Sequence, residues 1–119
     1  MAVILVTHDL GVIAGTCDDV LVMYAGRICE AATVRDLFAK QRHPYTEALL
    51  NSLPSVNTDG KELYSIPGMP PDLTQRIDGC SFAPRCQHAD ERCRTGTPRL
   101  KTIDSNRATA CIRVQEGAL

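Results

Sequence analysis

The sequence predicts an α/β fragment followed by a loop-rich, cysteine-containing C-terminal extension. A continuous apolar and β-branched run at residues 2–7 is typical of a strand covered on both faces, as in parallel α/β sheets. Strand-like and helix-like stretches follow it as far as residue 53. From residue 54 onward Pro and Gly punctuate the chain, and residues 80–111 hold four of its six cysteines. We therefore expect two units, residues 1–53 and residues 54–119.

The first unit opens with the expected buried strand at residues 2–7. Asp9 can then cap a short helix over residues 10–16, because an aspartate side chain accepts hydrogen bonds from the first free backbone N–H groups of a helix. Residues 20–24 and 27–31 are predicted to be two further strands. The Ala25-Gly26 pair between them is a turn signal, so these strands should form a hairpin.

Two helices should complete the first unit. Thr33 is a suitable N-cap for a helix that reaches Lys40. Pro44 favours the first position of another helix, with His43 before it as the cap and Pro54 as its end. This structural interpretation explains the His-Pro pair without a catalytic role.

The second unit is expected to be extended and loop-like over residues 54–79, with a short closing strand at residues 111–114. No basic stretch precedes the apolar run at residues 2–6, which is too short for a signal peptide or a membrane span. A cytosolic location follows by default. Cysteines in such a chain point to metal or redox chemistry rather than to a disulfide scaffold.

Four of the cysteines form the pattern C-x5-C-x6-C-x17-C: Cys80, Cys86, Cys93 and Cys111. Four thiolates can hold a zinc ion or a [4Fe–4S] cluster. Because a loop-rich region buries little apolar area, a bound metal could supply the folding free energy that it lacks. The spacing alone does not choose the metal, although the tight cysteine pair of most structural zinc sites is missing. His88 is a possible substitute ligand, although a solvent-facing loop histidine is the favoured interpretation. Cys17 and Cys29 are interpreted as small packing residues.

His8 is the candidate residue for phosphate chemistry. It follows the predicted strand and precedes a helix N-terminus, where open α/β sheets bind their ligands and where the helix dipole favours an anion. The alternative is a purely structural role, in which His8 and Asp9 form a capping cluster, and local spacing alone does not exclude it.

Longer stretches resemble the end of the ATPase domain of ABC transporters, a P-loop NTPase, and then the extension of oligopeptide/dipeptide importers. The matching stretches are ILVTHDL at 4–10, CDDV at 17–20, MYAGRI at 23–28, RHPYTEALL at 42–50, IPGMPP at 66–71 and GCSFAPRC at 79–86. The resemblance implies that His8 is the switch histidine, which contacts the terminal phosphate of ATP and the attacking water. It favours [4Fe–4S] over zinc at the four cysteines.

The resemblance also implies partners and a location. The parent protein would bind ATP and Mg²⁺, associate with a second ATPase subunit and with membrane permeases, and lie at the cytoplasmic face of the cell membrane. The phosphate-binding motif G-x-x-x-x-G-K-[ST] does not occur in the sequence. We therefore expect a fragment that does not hydrolyse ATP alone, and that self-associates as a homodimer through unpaired strand edges.

The alternative is a stand-alone zinc or iron–sulfur module that binds nucleic acid or senses redox state. A net charge of −1, two Phe, three Tyr and no Trp leave little for phosphate attraction or base stacking, so no nucleic-acid partner is predicted. The identity of any transported peptide and the role of the extension do not follow from the sequence.

Overall fold

The structure is a computed structural model that describes residues 1–53 and 65–119. Within these two ranges the chain forms five α-helices, one 3₁₀ turn at Ala83–Arg85 and four β-strands. In chain order the helices and strands are α1 (Leu10–Thr16), β1 (Asp19–Tyr24), β2 (Arg27–Thr33), α2 (Val34–Ala39), α3 (Pro44–Asn51), α4 (Glu91–Thr95), β3 (Lys101–Asp104), β4 (Arg107–Thr109) and α5 (Ile112–Gln115).

The hairpin of β1 and β2 confirms the prediction for this part of the chain. Ala25 and Gly26 both have positive φ, at 52° and 79°, which gives a two-residue turn whose twist suits antiparallel strands. Residues of β1 alternate between exposed and buried, so that Val20, Val22 and Tyr24 face the interior. The hairpin therefore has one covered face and one exposed face.

The described strands form one antiparallel sheet in the order β1-β2-β4-β3. The α/β class is thus confirmed, but with an antiparallel sheet. β4 pairs with β2, with Glu30 opposite Thr109 and Ala31 opposite Ala108. The second predicted unit therefore adds two strands to the hairpin of the first. The division at residue 53 stays a prediction.

The predicted strand at residues 2–7 is wrong. These residues have no regular secondary structure, and their apolar side chains are exposed, with Ile4 at 93% and Val6 at 92%. A buried strand depends on neighbours for its hydrogen bonds, and no described segment pairs with this one. Regular structure begins at α1, where the Asp9 carboxylate accepts hydrogen bonds from the N–H groups of Gly11 and Val12 as predicted.

The predicted strand at residues 111–114 is also wrong, because this segment begins the short helix α5. The Cys111 carbonyl accepts a hydrogen bond from the Gln115 N–H at 2.9 Å, which closes a helical turn. The strands of this region lie just before it, at β3 and β4. The loop prediction holds for residues 65–79, which contain no helix or strand, and residues 54–64 lie outside the described residues.

The caps predicted for α2 and α3 are confirmed. The Thr33 hydroxyl accepts from the Asp36 N–H at 3.1 Å, and His43 Nδ1 accepts from the Tyr45 N–H at 3.0 Å. Pro44 occupies the first turn of α3, where a missing N–H costs nothing. The helix ends at Asn51, and the predicted stop at Pro54 lies outside the described residues.

Two apolar clusters hold the described elements together. The first joins α1, α2 and α3 to the inner face of the hairpin, and its buried members are Leu10, Ile13, Val20, Val22, Ala32, Val34, Leu37 and Leu50. The second connects the hairpin to the cysteine-containing region, and its buried members are Tyr24, Cys29, Ala48 and Phe82. The second cluster therefore positions the candidate site described below.

A buried ion pair reinforces the junction of β2 and β4. Glu30 is fully buried, and its Oε2 accepts hydrogen bonds from Arg107 Nη2 at 3.0 Å and from the Arg42 N–H at 2.9 Å. Arg107 Nη2 also donates to the Lys40 carbonyl at 2.6 Å. This pair fixes the segment between α2 and α3 against β4.

None of the described helices combines the length and the apolar character that a membrane span requires.

Candidate functional site

The four predicted cysteines converge on one cavity. Cys80, Cys86, Cys93 and Cys111 all contribute to its walls, although they come from separate loops and helix ends. All six cysteines of the chain are free thiols. Phe82 also contributes to the walls of this cavity. The sequence pattern thus grouped four side chains that share a cavity, although the first and the last are 31 positions apart.

A close backbone contact brings Cys80 to Cys93. The Cys80 N–H donates to the Cys93 carbonyl at 2.7 Å. Gly79 makes this approach possible: its φ is 76°, and a β-carbon added there would lie 2.5 Å from the Cys93 carbonyl oxygen. Because only glycine fits both the backbone angle and the space, Gly79 positions two of the four thiols.

Short capped turns hold the other thiols. Cys86 ends the 3₁₀ turn, and its sulfur accepts a hydrogen bond from the His88 N–H at 3.4 Å. Cys93 lies in α4, whose N-cap Asp90 also accepts from the Cys93 thiol at 3.5 Å. The Cys111 N–H donates to the Thr109 hydroxyl at 3.2 Å, at the end of β4. Each thiol is therefore fixed by local backbone geometry.

A negative charge on one of the four sulfurs disfavours ionisation of the others, and nearby backbone N–H groups offset part of this effect. Burial raises the pKa of Cys80, Cys86 and Cys111, and the other thiolates of the group raise it further. Backbone N–H groups act in the opposite direction on each of the three, for example those of Phe82 and Ala83 on the Cys80 sulfur. A bound cation would reverse this balance, because metal-bound thiols are deprotonated.

Arginines near the cysteines in sequence differ in what they contact. Arg113 lowers the pKa of Cys111 through its charge, and it also pairs with Asp90 at 3.5 Å. Arg85 instead points toward the hairpin, where it donates to the Tyr24 hydroxyl at 3.3 Å and to the Pro67 carbonyl at 3.1 Å. Charge support for a thiolate therefore comes from Arg113, while Arg85 attaches residues 66–67 to β1.

As arranged, the thiols do not form a site for one metal ion. No group of three or more His, Cys, Asp or Glu side chains in the described residues has the spacing that a single ion requires. Zinc–sulfur bonds of about 2.3 Å would place four sulfurs within about 4 Å of one another. The cavity measures about 20 Å³, the room of about one water molecule. A larger group would require its walls to move apart.

His8 lies apart from the cysteine cavity. It is exposed, in a bend that precedes α1, and it does not contribute to the walls of that cavity. Its neighbour Asp9 caps α1, as expected for either interpretation of the pair. Its role at the terminal phosphate of ATP stays a prediction.

Sequence reasoning missed two residues of this region. His43 is buried and contributes to the cavity wall, with its ring centroid 6.2 Å from that of Phe82. Cys29, interpreted as a packing residue, is indeed buried, but it lies beside Cys80 in an adjoining cavity. Because Cys29 and its neighbour Glu30 are both buried, β2 breaks strict alternation here, and the nearness of Cys29 to Cys80 depends on long-range packing. His88, expected to face solvent, is half-buried and contributes to the cavity wall.

The chain combines an antiparallel α/β core with a four-cysteine cavity, and comparison with known proteins identifies its family. Residues 29–93 match the family described as the oligopeptide/dipeptide transporter, C-terminal region. Because the match covers more than half of the chain, the chain belongs to this family. The resemblance stated from the sequence is thereby confirmed.

Curated relatives agree with the family. The chain is 48% identical over 118 residues to the oligopeptide transport ATP-binding protein OppD of Salmonella typhimurium. The aligned region covers 99% of the chain and 35% of that protein. It is 51% identical over 116 residues to a probable peptide ABC transporter ATP-binding protein of Sinorhizobium fredii, covering 97% of the chain and 35% of that protein. The chain thus spans about a third of the length of the relatives it matches.

Proposed function

We propose that this chain is the C-terminal portion of the ATP-binding subunit of an oligopeptide/dipeptide ABC importer. The observation that carries the proposal is the family match over residues 29–93, supported by relatives named as peptide transport ATP-binding proteins. The parent would couple ATP hydrolysis to peptide uptake, with Mg²⁺, a second ATPase subunit and membrane permeases as partners. It would act at the cytoplasmic face of the membrane.

His8 is the proposed link to ATP hydrolysis. In the parent it would act as the switch histidine at the terminal phosphate, because its exposed imidazole can donate to an anion or orient a water molecule. The chain itself lacks the G-x-x-x-x-G-K-[ST] motif that positions phosphates and Mg²⁺. We therefore expect no ATP turnover by the 119-residue chain.

A peptide-uptake assay tests this proposal. The parent gene, with or without His8→Ala, is returned to a strain that lacks its own peptide importer ATPase. We expect uptake of a labelled oligopeptide with the unchanged gene and loss of uptake with the variant, while a neighbouring exposed change, Val12→Ala, preserves it. Full uptake by His8→Ala would contradict the role of this histidine, and absence of uptake by both would contradict the proposed function.

We further propose that Cys80, Cys86, Cys93 and Cys111 hold a [4Fe–4S] cluster. Their number and their thiol chemistry suit the cluster, and N–H groups directed at three of the sulfurs are a usual feature of iron–sulfur sites. The walls of the cavity would have to move apart to admit the cluster. Their spacing disfavours a single zinc ion. When bound, the cluster would supply folding free energy and a one-electron redox couple.

Anaerobic reconstitution distinguishes the metals. We expect the chain to bind iron and sulfide with broad absorbance near 400 nm, and to lose this signal in a Cys111→Ser variant. Cys17→Ser is the matched control, because Cys17 packs against the first apolar cluster, away from the cavity. Stoichiometric zinc in both aerobic and anaerobic preparations, without iron, would favour the zinc alternative and refute the cluster.

A further inference from the structure

A groove lined by basic side chains lies where the segment between α2 and α3 meets β3, β4 and α5. The cations that line it are Lys40, Arg42, Lys101 and Arg107, and Asp104 lines it as well. Its volume of about 550 Å³ is within the range of small-molecule binding sites. The residues that line it differ from those of the cysteine cavity. We call it the basic groove.

The register of the sheet brings two of these cations together. Lys101 of β3 pairs with Thr109 of β4, and Glu30 of β2 pairs with Thr109 from the other side. Cross-strand partners share one face of a sheet, and Arg107, two positions before Thr109, shares that face as well. Lys101 and Arg107 therefore lie on the same face of the sheet as the buried Glu30.

Hydrogen bonds hold the other two cations against this face. The Thr109 hydroxyl donates to the Arg42 carbonyl at 2.7 Å, and Arg107 Nη2 donates to the Lys40 carbonyl at 2.6 Å. Both acceptors belong to the segment between α2 and α3, so the backbone of this segment is fixed against β4. Cations from separate parts of the sequence are thus brought to one groove.

Neighbouring carboxylates neutralise little of this positive charge. In the part of the chain that the structure describes, no carboxylate lies at ion-pair distance from Lys40 or Lys101, which are both exposed. The Arg42 guanidinium donates to the Leu119 backbone carbonyl at 3.2 Å. Asp104 can offset one of these three charges, so the basic groove keeps an excess of positive charge that attracts anions.

The buried Arg107 supplies a second, independent indication of a ligand. Its side chain is only 9% exposed, and Nη2 is occupied by Glu30 Oε2 and the Lys40 carbonyl. Its Nε is buried and donates to no acceptor among the described residues. A buried N–H without an acceptor costs free energy. An anion oxygen that enters the basic groove beside Arg107 would supply the missing acceptor.

We propose that the basic groove binds a phosphate group. Guanidinium and ammonium groups are the usual donors to phosphate, and a doubly charged tetrahedral anion can contact cations that approach from different sides. The phosphate can belong to the headgroup of an anionic phospholipid or to a free phosphate. The inference does not depend on the ATPase assignment, because the basic groove contains neither His8 nor the four cysteines.

An NMR titration of the isotope-labelled 119-residue chain with inorganic phosphate tests the proposal, with chloride at equal ionic strength as the reference. We expect saturable shifts of the backbone amides of Lys101, Arg107 and Gly117. Lys40→Gln and Lys101→Gln should each weaken the affinity about 5-fold, because each removes one charge from the groove. Arg94→Gln is the matched control, since it removes the same charge from an exposed residue of α4 outside the groove.

Vesicle sedimentation distinguishes the two sources of phosphate. Binding to phosphatidylglycerol vesicles but not to phosphatidylcholine vesicles, weakened by Lys101→Gln and by added phosphate, would support the proposal with a lipid headgroup as the ligand. Saturable phosphate shifts without vesicle binding would support it with a free phosphate. The proposal is overturned if these amides show no saturable shift with phosphate, or if Arg94→Gln weakens the affinity as much as the two lysine variants do.

Discussion

The buried cap of α3 makes the stability of the protein depend on pH. His43 is 4% exposed, and burial lowers its pKa from 6.5 to about 4. Its Nδ1 accepts the Tyr45 N–H at 3.0 Å, which requires an unprotonated nitrogen at that position. Protonation would place a second N–H against the donor of Tyr45 and leave a charge in the apolar cavity wall. Acid therefore removes the cap and favours the unfolded chain.

The size of this effect follows from the difference in pKa. Because the pKa is lower in the folded protein, the unfolded chain binds more protons between pH 6.5 and pH 4. The contribution of neutral His43 is complete above pH 6.5 and is lost as the pH falls through about 4. At about 1.4 kcal/mol for each pKa unit, the whole loss is about 3 kcal/mol.

His43→Asn is the variant that isolates this contribution. Asparagine is an equally good N-cap but does not titrate in this range. We expect it to destabilise the protein at pH 7 by about 1–2 kcal/mol, through lost ring packing. Since wild type loses about 3 kcal/mol more than the variant on acidification, the variant should be the more stable of the two near pH 4.

Urea unfolding of both proteins at several pH values between 7 and 4, in metal-free and reduced buffer, measures this difference. The carboxylates are common to both proteins, so their titration cancels in the comparison. Parallel stability curves, or an NMR titration that places the His43 pKa near 6.5, would refute the reasoning.

Three further predictions use other contacts. Arg107→Met should destabilise the chain by about 3–5 kcal/mol, because it leaves the buried Glu30 carboxylate without its charge partner. In urea unfolding, the double variant with Glu30→Met should recover most of this loss. Equal stability of the single and the double variant would contradict this prediction. Gly79→Ala should prevent iron incorporation measured by absorbance, while Gly117→Ala, with a similar φ of 78° but open space, should not. In sedimentation velocity, Ile4→Lys should increase the fraction of monomer, whereas Leu73→Lys, a control at another exposed apolar residue, should leave the dimer unchanged. A wild-type chain that is monomeric would contradict the predicted homodimer.

Local chemistry allowed the sequence to predict much of the first 53 residues. Asp9, Thr33 and His43 each cap a helix through a side-chain acceptor within three positions, so the signal and the structure are close in the chain. The Ala25-Gly26 turn is equally local. The strand at residues 2–7 failed because apolar, β-branched sequence shows that a strand can be buried but does not supply the neighbour that buries it.

The cysteine region shows the same limit. Its four thiols were grouped because thiols are rare and their chemistry is specific, without any knowledge of the path of the chain. The strands β3 and β4 were missed because their side chains are mostly exposed or half-buried, so no apolar alternation indicates them. Cys29 was separated from the group because its nearness to Cys80 is created by the packing of the second apolar cluster, which is a non-local contact.

The contacts between β2 and the cysteine region argue that a metal at the four thiols would act on the hairpin as well. The rings of Tyr24, Tyr45 and Phe82 meet with centroids 4.5 to 5.3 Å apart, which joins β1, α3 and the cysteine-containing loop. The Cys29 carbonyl is bonded to Ala110 beside the last thiol. Because Phe82 lies two positions from Cys80, fixing that sulfur also fixes the ring that closes the apolar cluster. Metal binding would therefore stabilise the hairpin of β1 and β2 as well as the loop-rich extension.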